Sequence, residues 1–136
     1  ASDVHKRQFL FNLCCVIRKE QVMETIISQL YSVFAKYQIL GNLRSRSCEC
    51  CVTDKEMKAL LSKPLRSLDE KDINYFMSSA MTTYGGLDDY KHFLPRILEL
   101  MTSPKNDLVF DFLCFEKLNY AKWRTWEKEE VDTIEA

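Results

Sequence analysis

The chain has 136 residues, the size of one domain built on one core. Hydrophobic residues make up 46% and charged residues 29%, the balance of a globular rather than a disordered chain. With 19 basic against 20 acidic residues and a formal charge of −1, there is no basic excess to attract a phosphate backbone, so nucleic-acid binding is set aside.

Three Gly and three Pro are too few for the tight turns of an all-β fold, which favours helices. The first segment, roughly Ser2 to Arg18, holds the longest apolar stretch, Phe9 to Ile17, interrupted by Asn12. It is too short to cross a bilayer, and Arg18, Lys19 and Glu20 stand where a leader would carry small residues for cleavage. It reads as a buried helical face, either a separate helix or an extension of the next one. From Gln21 to Tyr37 the apolar residues Val22, Ile26, Leu30, Val33, Phe34 and Tyr37 recur at three- and four-residue steps, one face of an amphipathic helix. Gly41 and Asn42 end it, and a basic loop with Arg44 and Arg46 leads into Cys48-Glu49-Cys50-Cys51.

Thr53 to Glu56 spells a capping box, in which the hydroxyl accepts one backbone N–H and the carboxylate reaches back to another. The short helix it opens carries Met57, Leu60 and Leu61 and stops near Pro64. Asp69 caps the next helix, with Leu68 placed to staple against Ile73; its stripe runs through Ile73, Phe76, Met77, Ala80, Met81 and Tyr84 to a left-handed stop at Gly85. Asp88 and Asp89 favour another start, and Pro95 divides the segment into a turn or two from Leu87 to His92 and a second helix. Ser103-Pro104 repeats the cap-plus-proline pattern ahead of Leu108, Val109, Phe112 and Leu113. A last helix runs from Trp126, with Thr125 as cap, to Ala136, where the pattern stops without a terminating signal, as at the truncated end of a longer chain. The fold expected is all-α: residues 1–136 form one irregular bundle of about six to eight short helices with no sheet. Its core collects Ile26, Leu30, Phe34, Leu60, Phe76, Met77, Phe93, Ile97, Phe112 and Leu113.

The central stretch resembles a family of uncharacterised bacterial proteins. Its members carry a Cys-x-Cys-Cys motif, a leucine-rich segment, a Thr-aromatic-Gly step and a Phe-Leu-Pro-Arg run. Here these read Cys48 to Cys51, Leu60 to Leu68, Thr83-Tyr84-Gly85 and Phe93-Leu94-Pro95-Arg96, followed by Trp123-Arg124-Thr125-Trp126. The likeness covers roughly residues 25 to 136 and leaves the first twenty or so outside it. It implies a helical, cytoplasmic protein and carries no mechanism.

Six cysteines without regular spacing do not form the disulfide framework of a small secreted domain, so a reducing cytoplasm is expected, with Cys14, Cys15 and Cys114 acting as small buried hydrophobes. For Cys48, Cys50 and Cys51 three readings stay open. They could hold zinc or another soft metal, although adjacent cysteines reach one tetrahedral ion only with strain and a fourth ligand, His92 or Cys114, must come from afar. They could cycle a labile disulfide between Cys48 and Cys50, with Arg44 and Arg46 stabilising thiolate. Or they could simply pack. His92 stands four residues after Asp88, the spacing of a carboxylate–histidine pair or of a plain surface pair. Tyr84-Gly85-Gly86 could line a pocket or merely end a helix, and Trp123, Arg124 and Trp126 could form an interaction hot spot or fill the end of the core. No nucleophile elbow, phosphate-binding glycine loop or paired-histidine zinc motif is present, so nothing specific points to an enzyme. The expected function is a small helical module acting through a protein partner, with no nucleic acid and no membrane. The alternative is thiol-dependent metal binding or redox sensing.

Overall fold

The computed structural model describes residues 2–39, 41–102 and 108–135. Its helices are α1 (Ser2–Phe34), α2 (Asp54–Leu61), α3 (Glu70–Ser79), α4 (Leu87–Met101), α5 (Leu108–Tyr120) and α6 (Lys128–Glu135), with single 3-10 turns at Leu43–Arg46, Leu65–Ser67 and Trp123–Thr125. No sheet forms among the described residues, and a lone bridge joins Ala80 to Tyr84. The expected all-α class holds.

Helix α4 is the hub, packing against α1, α3 and α5; α6 closes over α1, and α2 rests on α3. The core gathers Leu30 and Phe34 of α1, Ile73, Phe76 and Met77 of α3, and Phe93, Leu94 and Ile97 of α4, each at most 3% exposed. Phe76 stands at its centre, edge-on to Tyr84 at 5.1 Å and tilted against Phe93 at 4.6 Å. Both anticipated caps are present: Thr53 and Glu56 exchange bonds of 3.2 and 3.0 Å at α2, and Asp69 accepts from the Asp72 N–H at α3.

Several expectations are corrected. Pro95 does not divide α4, which runs unbroken through it. The ring removes the donor that the Lys91 carbonyl would have used, a cost of about 3 kcal/mol in an isolated helix. Tyr90, Phe93, Leu94 and Ile97 are buried on both sides of the proline, and their packing holds the two halves in one helix. Helix α3 stops at Ser79, six residues before Gly85 reaches a left-handed φ of 68°. The Ser79 carbonyl accepts the N–H groups of Thr82, Thr83 and Tyr84, curling the chain so that Tyr84 enters the core. The last helix starts at Lys128, because Trp123–Thr125 forms its own turn and Trp126 is extended.

The first half of α1 is the largest departure. It is one helix with the second half, and Phe9, Leu10 and Phe11 are 62–67% exposed rather than buried. Every described side chain from 17 to 25 is exposed as well, since α4 and α6 cover only the last turns, around Ile27, Leu30 and Phe34. Cys14 is exposed and Cys15 only half-buried, whereas Cys114 is buried as expected. Ile27 takes the core position expected of Ile26, and Cys114 and Leu118 face inward on α5 while Phe112 points to solvent. The Ser103-Pro104 start expected for α5 lies outside the described residues.

Candidate metal centre

The three clustered cysteines sit on a loop whose backbone is held from several directions. Val52, fully buried, anchors the end of the loop, and its N–H closes a turn onto the Cys48 carbonyl at 3.1 Å. The Cys48 N–H donates to the Thr83 carbonyl at 2.7 Å. The Arg44 guanidinium donates to the Glu49 carbonyl at 2.9 Å and also to the Val52 carbonyl, and the Tyr75 hydroxyl donates to the Cys51 carbonyl. The loop is thus tied to the 3-10 turn before it, to α3, and to the turn after α3.

Ahead of it, Arg46 grips Asp89 of α4 through two bonds of 2.9 and 2.8 Å, while Asp89 accepts the Gly86 N–H at 2.8 Å. The Gly85 N–H donates to the Ser47 hydroxyl at 3.1 Å. A Cβ on Gly85 would stand 3.0 Å from Asp89 Oδ2 and 3.2 Å from Leu43, so Gly85 serves a close approach of backbone to carboxylate, while Gly86 lines a shallow surface cavity with Arg46 and Asp89. Burial raises the Asp89 pKa, but the bonds from Arg46 and Gly86 outweigh it and hold the carboxyl below its ordinary range.

The turn brings the thiols together. Sγ of Cys48 and Cys50 are 3.2 Å apart, those of Cys50 and Cys51 3.8 Å, and all three lie within 4.8 Å of one another. Three thiolates around one ion at a metal–sulfur distance of about 2.3 Å stand roughly 3.8–4.0 Å apart, so sub-ångström side-chain shifts suffice to close on it. The chain turns between Cys48 and Val52 instead of running straight, which brings the adjacent thiols near one another. Cys50 and Cys51 are exposed and Cys48 half-buried, which leaves one side of the cluster to solvent. Hydrogen bonds from the Cys51 and Cys50 thiols bring the Cys48 pKa down to about 7, and the same sharing pushes Cys51 up to about 11.

The other sequence candidates fall elsewhere. His92 is not among the ligand atoms gathered at the cluster; its Nδ1–H donates to the Tyr37 carbonyl at 2.8 Å, joining α4 to the end of α1. Cys114 is buried on α5, and burial pushes its thiol up to about 12. Arg44 spends its donors on carbonyls and an ion pair with Asp54 at 3.5 Å, and Arg46 is paired with Asp89, so the two arginines brace the loop. Asp88 is exposed, and the carboxylate that matters is its neighbour Asp89. Trp126 is half-buried, edge-on to Phe34 at 6.2 Å, with its indole N–H on the Ala121 carbonyl at 3.0 Å. Trp123 is half-buried under the guanidinium of exposed Arg124, 4.5 Å from the ring centroid.

Sequence reasoning missed a second charged group, on α4 and α6. Glu130 is fully buried and accepts Lys91 Nζ at 2.9 Å, Lys36 Nζ at 3.2 Å and the Tyr37 hydroxyl. Lys91 Nζ also lies 4.3 Å from the Trp126 ring centroid. Burial raises the Glu130 pKa, but bonds from Tyr37, Lys91 and Lys36 prevail and lower it; in Lys91 the Glu130 and Tyr37 bonds likewise overcome burial and raise it. No spacing rule links residues 39 apart in sequence. The one available signal was Lys91 standing among the apolar residues of the α4 stripe.

Among the described residues no helix is long and apolar enough to cross a membrane. Comparison of the chain with protein-family models, with curated proteins and with solved structures gives no match.

Proposed function

We propose that this protein binds one thiophilic metal ion, Cu(I) or Zn(II), through Cys48, Cys50 and Cys51. The observation that carries the reading is the convergence of three sulfurs within 4.8 Å on a braced backbone, so that the site needs little reorganisation on binding. Soft thiolates select such ions. Binding displaces the thiol protons to solvent, and affinity therefore rises with pH. A three-sulfur set satisfies Cu(I) by itself and leaves Zn(II) a fourth position for water or an incoming ligand, the geometry of a site that exchanges its ion. The setting that suits these free thiols is a reducing one.

The test is native mass spectrometry of reduced, metal-free protein under anaerobic conditions, titrated with Zn(II) and separately with Cu(I). One ion per chain is expected, lost in Cys50→Ser and retained in a Cys14→Ser/Cys15→Ser control. No mass increment, or one that survives replacement of all three clustered cysteines, would overturn the reading. A loss of two protons reversed by reductant would instead favour a Cys48–Cys50 disulfide and redox sensing.

A second reading, a helical module acting through a protein partner, is supported by the exposed apolar residues of α1, including Phe9, Leu10 and Phe11. It does not compete with metal binding, since the cysteine loop and that half of α1 are separate surfaces.

A further inference from the structure

The buried stripe of α1, Ile27, Leu30 and Phe34, is spaced by three and four residues, and the same register continues toward the N-terminus through Met23, Leu13 and Phe9. In the body of the protein α4 and α6 cover this stripe. Beyond it the stripe is bare, with Met23 43%, Leu13 45% and Phe9 67% exposed, flanked by Leu10 at 62% and Ile17 at 44%. A single helix with an uncovered apolar seam is marginal in water, and an exposed apolar group such as Phe9, Leu10, Leu13 and Ile17 marks an interface.

We propose that the exposed half of α1 pairs antiparallel with the same segment of a second copy of this chain. Charge decides the occupant and its direction. The apolar block from Phe9 to Ile17 is centred on Leu13, with Lys6 and Arg7 before it and Arg18, Lys19, Glu20 and Glu24 after it; of these only Lys6 and Glu20 fall on the stripe. Turning a second α1 end for end lays block on block and sets Lys6 beside the partner's Glu20. Lys6 and Glu20 both fall in the three-four register of the stripe, so a parallel, in-register pair would stack lysine on lysine and glutamate on glutamate in the seam. Arg18 lies off the stripe. Residues 4–24 span about 32 Å of helix at 1.5 Å per residue. The pairing is independent of the metal proposal, because none of these residues touches the cysteine loop.

The test uses the full reduced chain in sedimentation equilibrium and light scattering from micromolar to submillimolar concentration. The expected result is a concentration-dependent species of twice the 16.0 kDa chain mass. Phe9→Glu/Leu13→Glu should raise its dissociation constant about a hundredfold or more, as loss of central anchors does. Both residues are exposed on α1, so the tryptophan-fluorescence unfolding midpoint, read at a concentration where the wild type is monomeric, should not move. Lys6→Glu and Glu20→Lys should each weaken the dimer by roughly tenfold, and the double exchange should restore it. In a parallel pair the single exchanges would swap one like-charge contact for another and change little. A wild-type monomer over the whole range overturns the proposal, including one that co-sediments with phosphatidylserine-containing vesicles and so covers the face with lipid. A dimer insensitive to Phe9→Glu/Leu13→Glu, or a charge exchange without recovery, overturns it equally.

Discussion

Replacing Glu130 by alanine tests the account of how α6 is held. The carboxylate is fully buried, and the Lys91 side chain that it neutralises is 8% exposed. In Glu130→Ala the ammonium stays in the interior with no anion, facing the Tyr37 hydroxyl at 3.1 Å and the ring faces of Tyr37 and Trp126. Removing one partner of a buried pair costs about 3–5 kcal/mol, most of it the burden of the charge left behind. Lys36, itself solvent-accessible, holds Glu127 at 2.6 Å and reaches Glu130 at 3.2 Å; Lys36→Ala leaves the Lys91–Glu130 pair intact and should cost less than Glu130→Ala, which makes it the milder comparison. Against a total stability of roughly 5–15 kcal/mol for a domain, the loss is a fifth or more and lowers Tm by about 10–18 °C. Urea unfolding followed by circular dichroism reads it as a lower midpoint at constant m-value. The double variant Lys91→Met/Glu130→Leu, which removes both charges and keeps the volume, should recover most of the loss. A cost below about 1 kcal/mol for Glu130→Ala, or a double variant as weak as the single, would refute the reasoning.

Three further outcomes rest on the same geometry. Gly85→Ala should destabilise by about 1–3 kcal/mol in thermal unfolding, because a left-handed φ of 68° and the Asp89 carboxylate both oppose a Cβ; Gly41, at φ 61° with open space around it, should cost less. Tyr84→Phe should be neutral or stabilising by up to ~1 kcal/mol in the same assay, since its buried hydroxyl has no partner among the described residues. The carboxyls of Asp89 and Glu130 sit below their unfolded pKa values, so their stabilisation is complete above about pH 5 and is lost as pH falls through the folded values. Lys91 is raised, so its share is complete below its unfolded pKa and is lost as pH rises beyond it; urea midpoints measured from acid to alkaline pH should show that plateau and shoulder.

The helix starts were legible because a cap is a local device. Thr53 with Glu56, and Asp69 as N-cap, satisfy donors three residues away, and no distant part of the chain needs to be known. The apolar stripes of α3 and of the end of α1 were legible for the related reason that period fixes a face. Period cannot say whether anything covers that face. Phe9 to Ile17 has a core-like composition, yet the elements that would bury it are not in the described fold, and so the sequence expectation failed there. Pro95 misled in the opposite direction. Its local cost is genuine, but Phe93, Leu94 and Ile97 are buried around it, and tertiary packing outweighed the propensity.

The candidate site shows the same division at closer range. Three thiols in four residues announce a cluster, but the backbone path decides whether the sulfurs can meet on one ion. That path is set by the Tyr75 hydroxyl on the Cys51 carbonyl and by the Thr83 carbonyl on the Cys48 N–H, which reach the loop from residues 24 and 35 further along the chain. The early end of α3 at Ser79, with the chain curling over its carbonyl, places Thr83 there. Arg44 and Arg46, read as electrostatic activators from their nearness in sequence, act through direction, one gripping loop carbonyls and the other Asp89. A guanidinium so engaged contributes position to the cysteine loop, and the lowered pKa of Cys48 comes from its neighbouring thiols. Substitution of Tyr75 by Phe therefore separates geometry from charge: it leaves every charged group in place and should loosen the loop and weaken metal binding. Unchanged Zn(II) and Cu(I) affinity in Tyr75→Phe would show that the cysteines organise themselves without that brace.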